Sequence, residues 1–405
     1  MKSSSTHLSS LLSSLLFILG ALLFLSVALL MGVTALSTFF TGADVGAQQT
    51  IILAVAGFEG LILLVAAFIS IQKFLHKPLA EQDSSFSISV WQIAISLIIA
   101  GVVVFIGREI SANAKINWLL LPVLTLPAVV FPLFVILGLG IRRIPLGTRW
   151  QSWNVFGIGM TLVPFILIFL EAFALIFIVI IVIVFIISQP SLVVEMERLS
   201  QQIYMLGPES EAARELLLPF ITRPAVIAIA LAYFAILVPL LEELFKPLGV
   251  WLFANQLTSP AQGYALGALS GSAYALIETL GVSAQTADWA GLLLSRIGTG
   301  ILHITTSALM GGAILYAVRE RRYLRLLGTY LISISLHGLW NALAILYSFA
   351  TLTKYFEQQS PLNEFRMPLT IGMSVLAVVL LIILILSNRK MRVTFTQNVN
   401  EEQIM

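Results

Sequence analysis

Residues 155–187 read VFGIGMTLVPFILIFLEAFALIFIVIIVIVFII and carry one ionisable side chain, Glu171. A helix needs about 20 mainly apolar residues to cross a hydrocarbon layer roughly 30 Å thick, and this stretch exceeds that length. It has too little polarity to form a helix at a water interface, so it reads as a membrane span. Working outward, nine similar runs follow at 11–39, 49–72, 88–107, 118–140, 226–254, 263–283, 290–318, 326–350 and 367–388. The expected fold is all-α, a polytopic transmembrane helical bundle of about ten spans. The first run is longer than the apolar region of a signal peptide and its leader carries only Lys2, so it is expected to be a retained anchor.

Composition agrees with this reading. Hydrophobic residues make up 59% of the chain and charged ones 10%, with a mean hydropathy of +1.00. That balance excludes an ordinary water-soluble globule and makes the lipid bilayer the solvent. A net charge of +2, with basic residues in short clusters between apolar runs, gives no reason to expect a nucleic-acid partner. The absence of cysteine excludes disulfides, thiolate nucleophiles and cysteine-ligated zinc.

Lysine and arginine concentrate in loops on the cytoplasmic side of a membrane. With ten spans, one side holds Lys2, Lys73, Lys77, Arg142, Arg143, Arg149, Arg319, Arg321, Arg322, Arg325, Arg389, Lys390 and Arg392. The other holds Arg108, Lys115, Arg198, Arg214, Arg223, Lys354 and Arg366. This asymmetry predicts a multi-pass protein of the cell membrane with both termini cytoplasmic. The one long polar connection, 189–222, then falls outside the cytoplasm. Within it Leu192, Met196, Leu199, Ile203 and Leu206 line one face of an amphipathic helix ending at Gly207 and Pro208. It is expected to lie on the membrane surface as a brace, or as a gate for substrate.

Charge at bilayer depth costs several kcal/mol and needs a partner or a function. Spans six to nine hold Glu242, Glu243, Lys246, Glu278, Arg296, His303 and His337, whereas the first five hold only Glu59 and Glu171. Span six reads PLLEELFKP over 239–247, an EExxK arrangement in which Lys246 lies i+4 from Glu242 and i+3 from Glu243. One lysine neutralises one acid and leaves the other for a neighbouring helix or water. Pro247 offers no N–H to the Glu243 carbonyl, so the helix should break beside the acids. Span seven repeats small residues at Gly263, Gly267, Gly271 and Ala275, a seam for close helix approach, and places Tyr274 four residues before Glu278. Arg296 of span eight is a candidate to neutralise Glu278 across helices. His303 follows on the same span, and span nine supplies His337 with Asn341 on one face. These faces are expected to share one hydrated chamber.

In this order the motifs resemble those of the PrsW-type intramembrane proteases, which are related to CAAX-prenyl endopeptidases and abortive-infection membrane proteins. Glu242, Glu243 and Lys246 match the family's EExxK, Glu278 its FxxxE, His303 its FxxxH, and His337 with Asn341 its HxxxN. Tyr274 and Thr299 stand where the family has the two phenylalanines. The resemblance covers roughly 223–350. It implies hydrolysis of a peptide bond in a membrane-protein substrate, such as an anti-sigma factor, with catalytic residues Glu242, Glu243, Lys246, Glu278, His303, His337 and Asn341. The cofactor is left open, either none or a divalent metal such as zinc, for which two histidines and a glutamate could supply three ligands.

The expected chemistry has Glu242 or Glu243 deprotonate water with help from His303, while His337 and Asn341 stabilise the oxyanion. The expected organisation is a five-span region over 1–188, the connection 189–222, a four-helix catalytic core over 223–350, and a final span with cytoplasmic tail over 351–405. Two other classes use similar residues. A proton-coupled transporter would bury Glu, His and Lys, but the repeated halves common in transporters are not visible. A noncatalytic membrane scaffold would keep the helical core without the reaction, and Thr299 is its best support.

Overall fold

The computed structural model describes residues 2–285, 288–355 and 361–404, with side chains described over 8–285, 288–353 and 363–393. The side chains of Lys2, His7 and Lys354 therefore lie outside the described residues. Sixteen α-helices run in chain order: α1 Lys2–Phe40, α2 Ala47–Phe74, α3 Pro78–Glu81, α4 Val90–Ser111, α5 Asn117–Ile141, α6 Arg149–Met160, α7 Leu162–Ile187, α8 Pro190–Leu206, α9 Glu211–Ile221, α10 Pro224–Leu231, α11 Val238–Phe245, α12 Leu248–Phe253, α13 Pro260–Val282, α14 Trp289–Glu320, α15 Tyr323–Tyr355 and α16 Arg366–Ile404. Among the described residues, ten helical stretches are long and apolar enough to cross a membrane, from Leu8–Phe40 to Asn363–Val393. Helices satisfy their backbone polar groups internally, which hydrocarbon demands.

Two strands, β1 (Asp83–Ser85) and β2 (Pro145–Thr148), form a small antiparallel pair. The span expected at 155–187 begins earlier, at Arg149, because Thr148 caps the helix through a capping box with Gln151. It is interrupted at Thr161, whose φ of −120° and ψ of −73° leave the helical region.

The chain divides into two compact units. The first comprises 1–164, 243–333 and 377–405. Its centre is α13 against α14, and the glycine seam explains how close they come. A Cβ on Gly263 would lie 2.6 Å from the Gly311 carbonyl oxygen, one on Gly267 2.2 Å from that of Ser307, and one on Gly271 2.4 Å from that of His303. Any larger residue would push the helices apart. Long polar side chains fasten the surrounding helices. Trp289 Nε1 donates to Thr125 Oγ1 at 3.1 Å, Tyr264 donates to the Leu384 carbonyl at 3.0 Å, and Asn388 Nδ2 donates to the Gly140 carbonyl at 2.9 Å.

The second unit comprises 165–242 and 334–376. The amphipathic helix expected from Leu192 to Leu206 is α8, and Gly207, at φ +84°, ends it. A second helix, α9, follows. Ser210 starts it by accepting a hydrogen bond from the Ala213 N–H at 3.1 Å. Arg223 ties the end of this region back to α8, bonding Glu195 at 2.6 Å. Span six is less regular than its composition suggests. After α10 it widens into a π-helical turn over Ala232–Leu237 and resumes as α11. Tyr233, in that turn, donates to the Glu171 carbonyl at 2.9 Å.

Candidate active site

The break foreseen at Pro247 is present: α11 stops at Phe245 and α12 starts at Leu248. The Val250 N–H, which would bond the Lys246 carbonyl in an unbroken helix, bonds that of Pro247 at 2.8 Å. This interruption lies beside the paired acids. They also mark the division between the two units, Glu242 closing a segment of one and Glu243 opening a segment of the other.

In the first unit the polar side chains form a continuous line. Lys246 and Glu243, neither with any exposed surface, make an ion pair. Lys246 Nζ also lies 2.9 Å from His303 Nδ1, and His303 Nε2 lies 2.6 Å from Glu278 Oε2. Arg296 reaches the same Glu278 oxygen at 2.7 Å and donates through Nε to Thr279 Oγ1 at 3.3 Å. An ammonium only donates, so His303 Nδ1 faces Lys246 with its lone pair, and the ring proton sits on Nε2 toward Glu278. A carboxylate holding one imidazole nitrogen so that the other presents a lone pair is the usual support of a metal-binding histidine. Here a cation, the Lys246 ammonium, sits at that lone pair.

Tyr274 accounts for its own substitution. Its ring meets His303 edge to face, centroids 5.2 Å apart at 84°, and lies 5.9 Å from Lys246 Nζ. Any aromatic ring serves there. Thr299 is buried and its hydroxyl turns back to the Ser295 carbonyl of its own helix at 3.5 Å.

In the second unit His337 Nε2 lies 3.9 Å from Glu242 Oε2, both side chains buried. This is too long for a hydrogen bond and close to the separation of two ligands around one small cation. Asn341 Nδ2 donates to the Phe234 carbonyl at 2.8 Å, and a Cβ on Gly338 would stand 2.3 Å from the Ala235 carbonyl oxygen. The His337-Gly338-xx-Asn341 face of α15 therefore receives carbonyls of the π-helical turn, which deviate from the regular helical ladder.

A protein-family model described as PrsW family intramembrane metalloprotease matches residues 147–386, more than half of the chain. The chain belongs to this family. It is accordingly a multi-pass membrane protease, and the transporter and scaffold alternatives yield to that assignment. No curated protein and no solved structure matches it. The PrsW match reaches well beyond the motif-bearing stretch on both sides. It takes in the end of β2, α6, α7 and the first half of α16, and leaves the first four spans outside.

All seven residues expected at the site occupy buried or half-buried positions, six on helices and Lys246 in the turn between α11 and α12. Arg296, expected as a candidate to neutralise Glu278 across helices, pairs with it at 2.7 Å. Its signal was available in the sequence, as a cation on the span following Glu278. The π-helical turn had no comparable signal, since AYFAIL at 232–237 reads as ordinary apolar helix.

Proposed function

We propose that the chain hydrolyses a peptide bond of a membrane-spanning polypeptide by water attack, with Glu243 as general base. The observation that carries this reading is the buried line Glu243, Lys246, His303, Glu278, Arg296, which joins three of the four PrsW motifs within one unit. Lys246 gives the buried Glu243 a counter-charge. Glu243 takes a proton from water. The resulting hydroxide oxygen bonds to the scissile carbonyl carbon, and the second N–H of Asn341 donates to the oxyanion formed. The carbon–nitrogen bond then breaks, and Glu243 passes its proton to the departing amine.

The family name implies a metal, and the donors suit one. Glu242 and His337 stand at a ligand-like separation, while His303 presents a lone pair backed by a carboxylate. We assign these three as ligands, the third on the strength of its sequence motif and its carboxylate partner. A divalent ion bound there would polarise the scissile carbonyl and acidify a bound water. His303 would then exchange its Lys246 donor for the ion. On the distribution of lysine and arginine, we further place the protein in the cell membrane with both termini cytoplasmic.

The deciding experiment reconstitutes the full chain with dye-labelled single-span polypeptides in vesicles of phosphatidylethanolamine and phosphatidylglycerol, with zinc added. Wild type should cleave, and Glu242→Gln, Glu243→Gln and His337→Ala should not. A strong chelator should abolish cleavage and zinc should restore it. Equal cleavage by all four proteins would refute the site, and indifference to the chelator would refute the metal.

A further inference from the structure

We propose that Ser270 is a positioning residue of the protease, extending the Tyr274-xxx-Glu278 motif by one helical turn to Ser270-xxx-Tyr274-xxx-Glu278. The inference rests on the reading of Glu243 and Lys246 given above. Residues 270, 274 and 278 are spaced four apart, so they lie on one face of α13. Each meets the Lys246–His303 pair at a different point. Glu278 accepts from His303 Nε2 at 2.6 Å, Tyr274 packs its ring on the imidazole edge to face, and Ser270 Oγ donates to the Lys246 carbonyl at 2.5 Å.

The Ser270 bond is unlike most hydroxyl bonds in this chain. Serine in a helix ordinarily bonds a carbonyl three or four residues earlier in its own helix, as Ser272 does with Leu269 at 2.8 Å. Ser270 instead reaches across to residue 246, where the backbone has just been broken. The carbonyl it meets is the one whose helical donor, the Val250 N–H, has gone to Pro247. Buried carbonyls need a donor, and a hydroxyl from a different helix both satisfies this one and fixes its place against α13. Ser270 has no exposed surface, and neither has Lys246. Gly271, the next residue, comes so close to the His303 carbonyl that a Cβ would lie 2.4 Å from it. The same turn of α13 therefore sets both the backbone that carries Lys246 and the backbone that carries His303. Lys246 in turn orients Glu243, the proposed base. Without the hydroxyl, the Lys246 turn can shift while every charged partner remains, misplacing the base without removing it.

The test measures kcat and KM of the full chain in the vesicle assay above for wild type, Ser270→Ala, Ser270→Cys, Ser272→Ala and Glu243→Gln, with thermal unfolding of each in detergent. Ser270→Ala should lower kcat about 10- to 100-fold with KM unchanged within about twofold, as expected for ångström-scale misplacement of a reacting group. Ser270→Cys, which keeps a weaker donor of similar shape, should recover part of that loss. Ser272→Ala removes another hydroxyl from the same helix, one that bonds only its own helix, and should keep wild-type kcat. Equal kcat in Ser270→Ala and Ser272→Ala would overturn the inference while leaving the hydrolysis reading intact. So would failure of both Ser270 variants to accumulate as folded protein, since the hydroxyl would then serve the fold. If Glu243→Gln cleaves like wild type, the hydrolysis reading fails and takes this inference with it.

Discussion

The two groups of site residues differ in how closely their members stand to one another. In the first unit Lys246, His303, Glu278 and Arg296 are linked by bonds of 2.6–2.9 Å, on helices whose backbones touch through glycine. In the second, Glu242 and His337 stand 3.9 Å apart and α15 meets a π-helical turn. Apart from His303, which would exchange its Lys246 donor for an ion, the saturated group has little left to bind with and serves to hold a geometry. The wider spacing of Glu242 and His337 suits a small cation between them. Preorganised dipoles need no rearrangement when charge develops in a reaction, whereas a binding site must keep donor capacity for its ligand.

The largest effects should separate the two roles. Glu243→Gln should lower cleavage by about 10²- to 10⁴-fold, the usual contribution of a positioned general base, while zinc content measured by elemental analysis stays near wild type. Glu242→Gln and His337→Ala should abolish cleavage and lower zinc content together. If Glu243→Gln loses zinc as fully as Glu242→Gln, the contrast between holding and binding groups is wrong.

A middle-sized effect concerns the support of His303. Glu278→Gln keeps an oxygen for the imidazole N–H but loses the charge shared with Arg296. Partners that orient a metal-bound histidine are worth about 10- to 100-fold in metal affinity or activity. Zinc titration of the purified variant should show a weakening of that order. An unchanged affinity would mean that His303 is no ligand and that its bond to Glu278 is purely structural.

The same line makes a stability prediction. Removing one partner of a fully buried ion pair strands the other, at a cost of about 3–5 kcal/mol. Lys246→Met should therefore lower the thermal unfolding temperature markedly. The double variant Lys246→Met with Glu243→Gln should regain part of the loss, because no unpaired charge is left buried. If the double variant is no more stable than Lys246→Met, the pair does not hold the break at Pro247 in place.

Much of this was legible in the sequence because hydrocarbon imposes coarse rules. Span ends came within a few residues wherever an apolar run met a cap or a charge. The exceptions trace to local chemistry, such as the Thr148 capping box that starts α6 early. The break at Pro247 followed from a missing N–H, and the seam at Gly263, Gly267 and Gly271 from the absence of side chains. What periodicity cannot show is which helix answers which. That Lys246 takes Glu243, that Asn341 meets the Phe234 carbonyl, and that Ser270 crosses to residue 246 depend on tertiary packing. The π-helical turn over 232–237 is of the same kind, because its carbonyls find partners on a helix a hundred residues further along the chain.

The smallest expected effect lies at the far edge of the looser unit and tests whether α8 is held or free. Arg223 bonds Glu195 at 2.6 Å, and this hydrogen bond, with the attraction of the guanidinium, keeps the Glu195 carboxyl below the ordinary carboxylate value of 4.5. A depressed folded value means that the tie contributes fully above the ordinary value and is lost as pH falls through the lowered one. Between pH 8 and 6 it should not change. The chain has no cysteine, so Tyr204→Cys, at a position 84% exposed on α8, accepts a single nitroxide label. Its spectrum should stay constant over that neutral range and report greater mobility only under acid conditions, below the ordinary carboxylate value. Adding Glu195→Gln should give the mobile spectrum at every pH, by an amount small enough to fit a solvent-exposed pair. A label equally mobile with and without Glu195 would show that α8 is positioned by its apolar face alone.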